Sequence, residues 1–372
     1  MLLSTPTPVL VDRTGGRALW RSAFAVAGPA AARVEWADAA KGVCIILVVS
    51  WHVIVKDYLL VDWHIGLPVP GLWGTLGEQF LPLRMPLFFA ISGVFATNAL
   101  RRPWRRVARF FYLYTLWLLI HTAALAAAPG FPTDRATSVL GLLEQLTITP
   151  SNLWYLYALA LYLLIAKAVR RLPPLVVVVP AAVLSAVAAA GLLATPGNRG
   201  GVYQNLVFFL AGLYLRPRIE RLAATATRRR LVLTSLAYVL GLTAMAAAGA
   251  QQWFGVWPLV SVVAVVFGVT AAARVARRPA LSGPLVRLGR ITLPIYVIHM
   301  PVLALLHRLL VRPLSSLDGG AQLFVSLGYP VVVTALVITV CLGIHRGLMM
   351  VGARWLFDLP YKRLESSRDP AV

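Results

Sequence analysis

The sequence predicts an all-α fold: a polytopic integral membrane helix bundle of about ten transmembrane helices, with both termini cytoplasmic. Three observations predict it. Of the 372 residues, 59% are hydrophobic and only 13% charged, where soluble domains hold ~45–50% apolar and ~25% charged residues. That balance excludes a soluble globular enzyme, a disordered chain and a coiled coil. Apolar runs of about 18 residues or more recur along the chain, long enough to cross a bilayer as helix. The basic residues sit in short clusters between those runs, concentrated at every second junction.

Residues 1–35 are polar, carry Arg13, Arg17, Arg21 and Arg33, and lack the basic, apolar, small-residue order of a cleaved signal. They read as a cytoplasmic tail with a short surface helix near residues 19–26. A transmembrane domain follows over 36–355, and 356–372 reads as a second cytoplasmic tail, too short to fold alone. Ten apolar segments divide the domain: 41–55, 80–100, 107–128, 153–168, 175–194, 202–215, 231–250, 256–273, 291–310 and 323–351. The second contains Pro86 near its outer end, which suits the first turn of a helix, where a missing N–H breaks no bond. The fourth opens on Trp154, Tyr155 and Tyr157, an interfacial aromatic set. The sixth reaches only about 21 Å at 1.5 Å per residue, short of a ~30 Å hydrocarbon core. It is tilted, re-entrant or extended by its neighbours.

With the N-terminus inside and all ten segments crossing, only Lys56, Arg84, Arg135, Arg199, Arg308 and Arg312 of the 35 basic residues fall outside. A span missing from the middle would invert the alternation and destroy this asymmetry. Asp57, Asp62, Glu78, Asp134, Glu144 and Asp318 fall on the outer side, and the outer loops after the first and third spans are the longest. The net charge of +22 therefore reads as orientation signal and contact with anionic head groups, not as a nucleic-acid footprint. A minority of it is available to an anionic cytosolic substrate. Cys44 and Cys341 lie in apolar stretches, without CxxC or metal-like spacing, and read as packing residues. No metal site is expected.

The first span holds the densest chemistry, running Trp36-Ala-Asp38-Ala-Ala-Lys41-Gly42 and on to Ser50-Trp51-His52. Lys41 and His52 stand about 20° past three full turns from one another, so both lie on one face, about 16 Å apart along the axis. Asp38, three residues before Lys41, shares that face. A charge and an imidazole on one stripe of a membrane helix are expensive unless they face a cavity or a partner. Two readings stand. Lys41 snorkels to the interface and His52 bonds a neighbouring helix, or the stripe lines a working cavity. In the second span, Arg84-Met85-Pro86-Leu87-Phe88-Phe89 with Ser92-Gly93 reads as close helix packing. In the ninth, Leu288-Gly289-Arg290 precedes Thr292, Tyr296 and His299, spaced four and three as one inward polar stripe. His121, His307 and His345 have no such company and read as structural or interfacial, and His64 lies in an outer loop near Asp62.

Taken together, these segments resemble acyltransferase family 3, the integral-membrane O-acyltransferases. Asp38, Lys41, Gly42 and His52 match its first-helix hallmark position by position. Met85 to Phe89 with Ser92-Gly93, Leu153 to Leu156, Phe208 to Gly212, and Leu288-Gly289-Arg290 through Tyr296 and His299 are similar to its later motifs, in order over about 36–303. Lys41 stands where many members have Arg, a variant resembling the sugar O-acetylase branch. Arg84 stands where His is common. Both departures bear on the choice of donor or acceptor.

The resemblance implies transfer of an acyl group, usually acetyl, from coenzyme A to a hydroxyl, in the cytoplasmic membrane of a bacterium. Acyl-coenzyme A is then a donor substrate and no cofactor is bound permanently; the acceptor is a carbohydrate or glycolipid hydroxyl. On that reading His52 is the general base, Asp38 holds Lys41, and Arg84, though a departure from the family pattern, stands at the outer end of the second span where it would stabilise the oxyanion. Lys41, Ser92, Tyr296 and His299 would face the donor, with Ser92 also open to a covalent role. The residues one turn either side of His52 are Val48, Val49, Val55 and Lys56, so its orienting partner must come from another element, with Glu78 or Asp57 as candidates. The base must also lie in a conduit reached from the basic side. The competing readings are a proton-coupled transporter or flippase for a glycolipid or polyol, and a non-catalytic scaffold.

Overall fold

The computed structural model describes residues 34–360 except 98, 99, 101, 102, 196 and 198. Most of both expected tails, with the surface helix near 19–26, lies outside these residues, as do Arg101 and Arg102. Every regular element among the described residues is a helix. In chain order they are α1 Glu35–Lys56, α2 Val69–Gln79, α3 Leu81–Val94, α4 Pro103–Ala126, α5 Val139–Thr147, α6 Trp154–Ala168, α7 Pro174–Ala189, α8 Gly200–Gln204, α9 Leu206–Tyr214, α10 Arg216–Ala224, α11 Arg228–Ala247, α12 Val256–Ala276, α13 Pro279–Arg290, α14 Thr292–Ser315 and α15 Gly319–Met350.

Each of the ten apolar segments is helical, but they are not alike. Six helices, α1, α4, α11, α12, α14 and α15, are long and apolar enough to cross a membrane. α6 and α7 are shorter apolar helices. The sixth segment divides at Asn205 into α8 and α9. α3 and α9 are almost wholly buried, so these short helices form the interior of the bundle instead of its lipid face. α3 begins at Leu81 with Pro82 in its first turn, which places Pro86 inside the helix. That corrects the first-turn reading of Pro86, whose ring nitrogen gives no hydrogen bond to the Pro82 carbonyl one turn back.

Four helices stand where the sequence reading has loops: α2, α5, α10 and α13. α13 turns Ser282, Val286 and Gly289 inward and packs along α1. Its Gly283 and Pro284 mask an otherwise helical period. Helix ends follow local chemistry. Ser138, Thr227 and Asp318 each accept a backbone N–H in the first turn of α5, α11 and α15. Gly249 and Gly255, at φ +59° and +81°, turn the chain between α11 and α12.

Two helix pairs are locked by reciprocal glycines. A Cβ at Gly42 would fall on the Leu285 carbonyl, and one at Gly289 on the Asp38 carbonyl, so α1 and α13 approach backbone to backbone. Gly93 and Gly212 do the same for α3 and α9, against the carbonyls of Phe209 and Ala90. The outward faces are apolar: Leu175 and Val179 of α7, Leu236 and Leu240 of α11, and Phe324 and Val331 of α15 are exposed, as lipid contact requires.

The bundle has two chemically distinct ends. At one, Lys41, Arg106, Arg109 and Thr292 share a cavity, and Lys167 lies over the Trp104 ring. At the other, Lys56 donates to the Pro132 carbonyl, Arg308 donates to the Ala127 carbonyl, and Arg199 pairs with Asp134. Lys41 and Lys56, which charge counting assigns to different sides, thus stand toward opposite ends of α1.

Candidate active site

α1 and the α14 segment meet in three polar rungs. Asp38 meets Arg290, just ahead of α14, at 3.4 Å; His52 meets His299 at 3.2 Å; Asp57 meets His307 at 2.9 Å. The order of these contacts shows that the two helices run parallel. The second and third rungs lie about 21 and 28 Å along α1 from the first.

In the first rung Asp38 is only 8% exposed, and a buried carboxylate needs partners. It has two, Lys41 Nζ at 2.6 Å and Arg290 Nε at 3.4 Å. Lys41 also lines a cavity of about 340 Å³. Its mouth is basic, from Lys41, Arg106 and Arg109, and its inner wall aromatic, from Phe88, Tyr155 and Tyr296. Arg109 pairs with Asp358 at 2.7 Å, whereas Arg106 has no carboxylate partner among the described residues. Tyr155 stacks on Phe88 with centroids 4.7 Å apart. Ser92 Oγ donates to the Phe88 carbonyl at 2.8 Å, so Tyr155 donates its hydroxyl proton to Ser92 at 2.8 Å. Tyr296 donates to the Asn152 carbonyl at 3.1 Å and accepts the Tyr155 N–H at 3.2 Å. A basic mouth over an aromatic throat suits an elongated ligand with an anionic head and an apolar stem.

The second rung sets a tautomer. His299 Nδ1 lies 2.7 Å from the Tyr296 carbonyl and 3.2 Å from that of Ile295. Carbonyls only accept, so Nδ1 carries the proton and Nε2 of the neutral ring is an acceptor. The bond to His52 must then run from His52 Nδ1–H to His299 Nε2. That leaves His52 Nε2 as a lone pair, the form a proton acceptor needs. Neither imidazole is on the cavity wall; Tyr296, one turn before His299, is. Arg84 lies 4.6 Å above the Trp51 ring, next to His52 in sequence and within its electrostatic reach. Arg84 is 5% exposed, and its Nη1 has no partner among the described residues, so a buried donor is free beside Trp51, the residue before His52.

The third rung corrects the expected orienting partner of His52. Asp57 is fully buried, accepting from His307 Nδ1 at 2.9 Å and from the Tyr329 hydroxyl at 2.7 Å. Glu78 is exposed on α2. Five residues from His52 put Asp57 about 140° round the helix, on another face. His307 is therefore the partnered residue that the sequence reading denied it to be. His121 is structural as read, bonding the Val297 carbonyl at 2.7 Å, and both cysteines are buried. Asp57→Ala leaves the Tyr329 hydroxyl and His307 without their acceptor, so it is expected to destabilise the protein by about 3 kcal/mol, read as a lower unfolding midpoint in detergent.

The structure thus joins Asp38 to Lys41 and His52 to His299, and sets Lys41, Ser92 and Tyr296 on one cavity. The sequence places Tyr155 both in an interfacial aromatic set and in the Leu153 to Leu156 motif without assigning it a role, and it does not reveal Arg290 as the second cation on Asp38. The run Leu288-Gly289-Arg290 was the available signal for Arg290. Among the described residues no cluster of His, Cys, Asp or Glu has the makings of a metal site.

A family model described as an acyltransferase domain, acyltransferase 3, matches residues 34–346, from the first rung through the third. The chain belongs to the acyltransferase 3 family. As an acyltransferase 3 protein with six helices among the described residues fit to cross a bilayer, it is a multi-pass membrane protein. A relative is the "Inner membrane protein YcfT" of Escherichia coli strain K12, 27% identical over 232 residues, or 56% of this chain and 64% of the relative. The match thus spans just under two thirds of the relative's length. No solved structure matches this acyltransferase 3 chain.

Proposed function

We propose that the protein is a bacterial inner-membrane O-acyltransferase that moves an acyl group, acetyl in the simplest case, from acyl-coenzyme A to a hydroxyl of a carbohydrate or glycolipid. The observation that carries this reading is the imidazole pair, whose bonding leaves a lone pair on His52 Nε2, set behind a basic-mouthed aromatic cavity. Family membership gives the reaction class, and the inner-membrane relative supports the compartment. Charge puts the basic mouth in the cytosol, and ten crossings with cytoplasmic termini follow from the same count.

The donor's phosphates bind Lys41, Arg106 and Arg109, with Asp38 and Arg290 holding Lys41 in place. The pantetheine arm runs along Phe88 and Tyr155 past Ser92, and Tyr296 moves aside to admit the thioester to His52. His52 Nε2 takes the acceptor hydroxyl proton as that oxygen attacks the thioester carbonyl. The carbonyl oxygen becomes an oxyanion facing Arg84 Nη1. Its collapse breaks the C–S bond, and the proton passes from His52 to the departing thiolate. Ser92 shares its hydrogen bonds with Tyr155 and the Phe88 carbonyl, neither of them a general base, so direct transfer is favoured over an acyl-serine.

Coenzyme A is expected to raise the unfolding temperature of the purified protein, which should also hydrolyse acetyl-coenzyme A slowly. A proton-coupled carrier would do neither. Lys41→Ala is expected to raise KM for acetyl-coenzyme A about tenfold, the scale of one charge-assisted contact, with a smaller change in kcat. A change confined to acceptor kinetics would move the donor mouth elsewhere.

A further inference from the structure

The end of the bundle opposite the Lys41 mouth holds a second cavity, of about 640 Å³, between the C-terminal half of α14 and residues 128–131. That volume is within the ~300–1,000 Å³ range of small-molecule sites. His307, Arg308 and Arg312 line it from adjoining turns of α14, and no carboxylate does. Arg308 Nη1 donates to the Ala127 carbonyl at 2.8 Å, which braces this guanidinium against the far wall. Neither arginine has a carboxylate partner among the described residues. His307 is fixed from behind by the buried Asp57, to which its Nδ1–H donates, and from the side by the Phe131 ring at 5.5 Å. Its Nε2 is the remaining ring nitrogen. The two guanidiniums, with no carboxylate partner among the described residues, can receive an oxyanion in a forked geometry, while the Nε2 lone pair of His307 is left to a hydroxyl of the same ligand.

We propose that this cavity binds the carboxylate or phosphate of an anionic saccharide, which is the acyl acceptor. Naming the occupant as acceptor rests on the acyltransferase reading; the anion site does not. Along α14, Ala304 and His307 of this cavity lie about 8 and 12 Å beyond His299, on the side away from Lys41.

The full chain in phosphatidylcholine nanodiscs tests the proposal by calorimetric titration with glucuronate and glucose 1-phosphate, with glucose as the neutral control. At least one anion is expected to bind and glucose is not. Arg312→Gln should weaken that binding about tenfold or more, with the unliganded unfolding temperature unchanged. Val311→Glu, which sets a carboxylate in the same cavity one residue from Arg312, should abolish it. No binding of either anion, or binding indifferent to both substitutions, overturns the site. The titration is repeated with phosphatidylglycerol in the disc. Persistence of binding supports a saccharide site, whereas complete suppression assigns the arginines to lipid head groups and overturns it. His52→Ala should keep the anion while losing turnover, so the catalytic reading and this site fail on separate readouts.

Discussion

His52→Ala abolishes acyl transfer, with kcat down about a thousandfold or more, in a protein that still inserts and elutes as one species. A positioned general base contributes ~10²–10⁴, and this imidazole has no neighbour that could replace it. Lys56 is one turn away but engaged with the Pro132 carbonyl, and His299 spends Nδ1 on backbone carbonyls. The companion experiment isolates the tautomer. His299→Ala removes the acceptor for His52 Nδ1–H, so kcat should fall about tenfold to a hundredfold while KM for acetyl-coenzyme A holds, because His299 is not on the cavity wall. His299→Gln offers an amide oxygen to the same N–H and should recover part of the loss, which a merely structural histidine would not predict. Full turnover in His52→Ala would remove this residue from the mechanism.

Gly212→Val and Gly93→Val prevent recovery of folded protein. A Cβ at either position meets a carbonyl of the facing helix, and both helices are buried, so neither backbone can retreat without opening the core. Overpacking commonly costs ~1–3 kcal/mol when side chains can yield. Here the obstacle is backbone, and the cost should exceed about 3 kcal/mol. Gly343 and Gly347 of α15 are the controls: nothing lies within 4 Å of a Cβ built there, and alanine should be neutral or slightly stabilising. Yield and size-exclusion profile of the four variants check the claim. Normal recovery of Gly212→Val would show that the α3–α9 contact is not close.

Much of the site was legible along single helices. The stripe of Asp38, Lys41 and His52, and the stripe of Thr292, Tyr296 and His299, follow from 3.6 residues per turn. The cost of polar groups in a membrane already demanded that each stripe face something. The glycines of the same motifs could be read as packing, but not paired. Gly42 with Gly289, and Gly93 with Gly212, are matched only when α1 meets α13 and α3 meets α9. Tyr155 lies in the Leu153 to Leu156 motif, but its role was hidden because Trp154 and Tyr157 make the same run look like an interfacial belt. The helix α13 was hidden by Gly283 and Pro284.

The chain's order alone determined that this is a helical membrane protein and where its apolar segments lie. A bilayer makes each segment satisfy its own backbone hydrogen bonds, so length, apolarity and flanking charge decide those features locally. Only the tertiary structure decided that His52 turns to His299 while Asp57 belongs to His307 and Tyr329. Those partners lie roughly 250 or more residues apart in sequence, and the faces that meet depend on close helix packing that no local periodicity encodes.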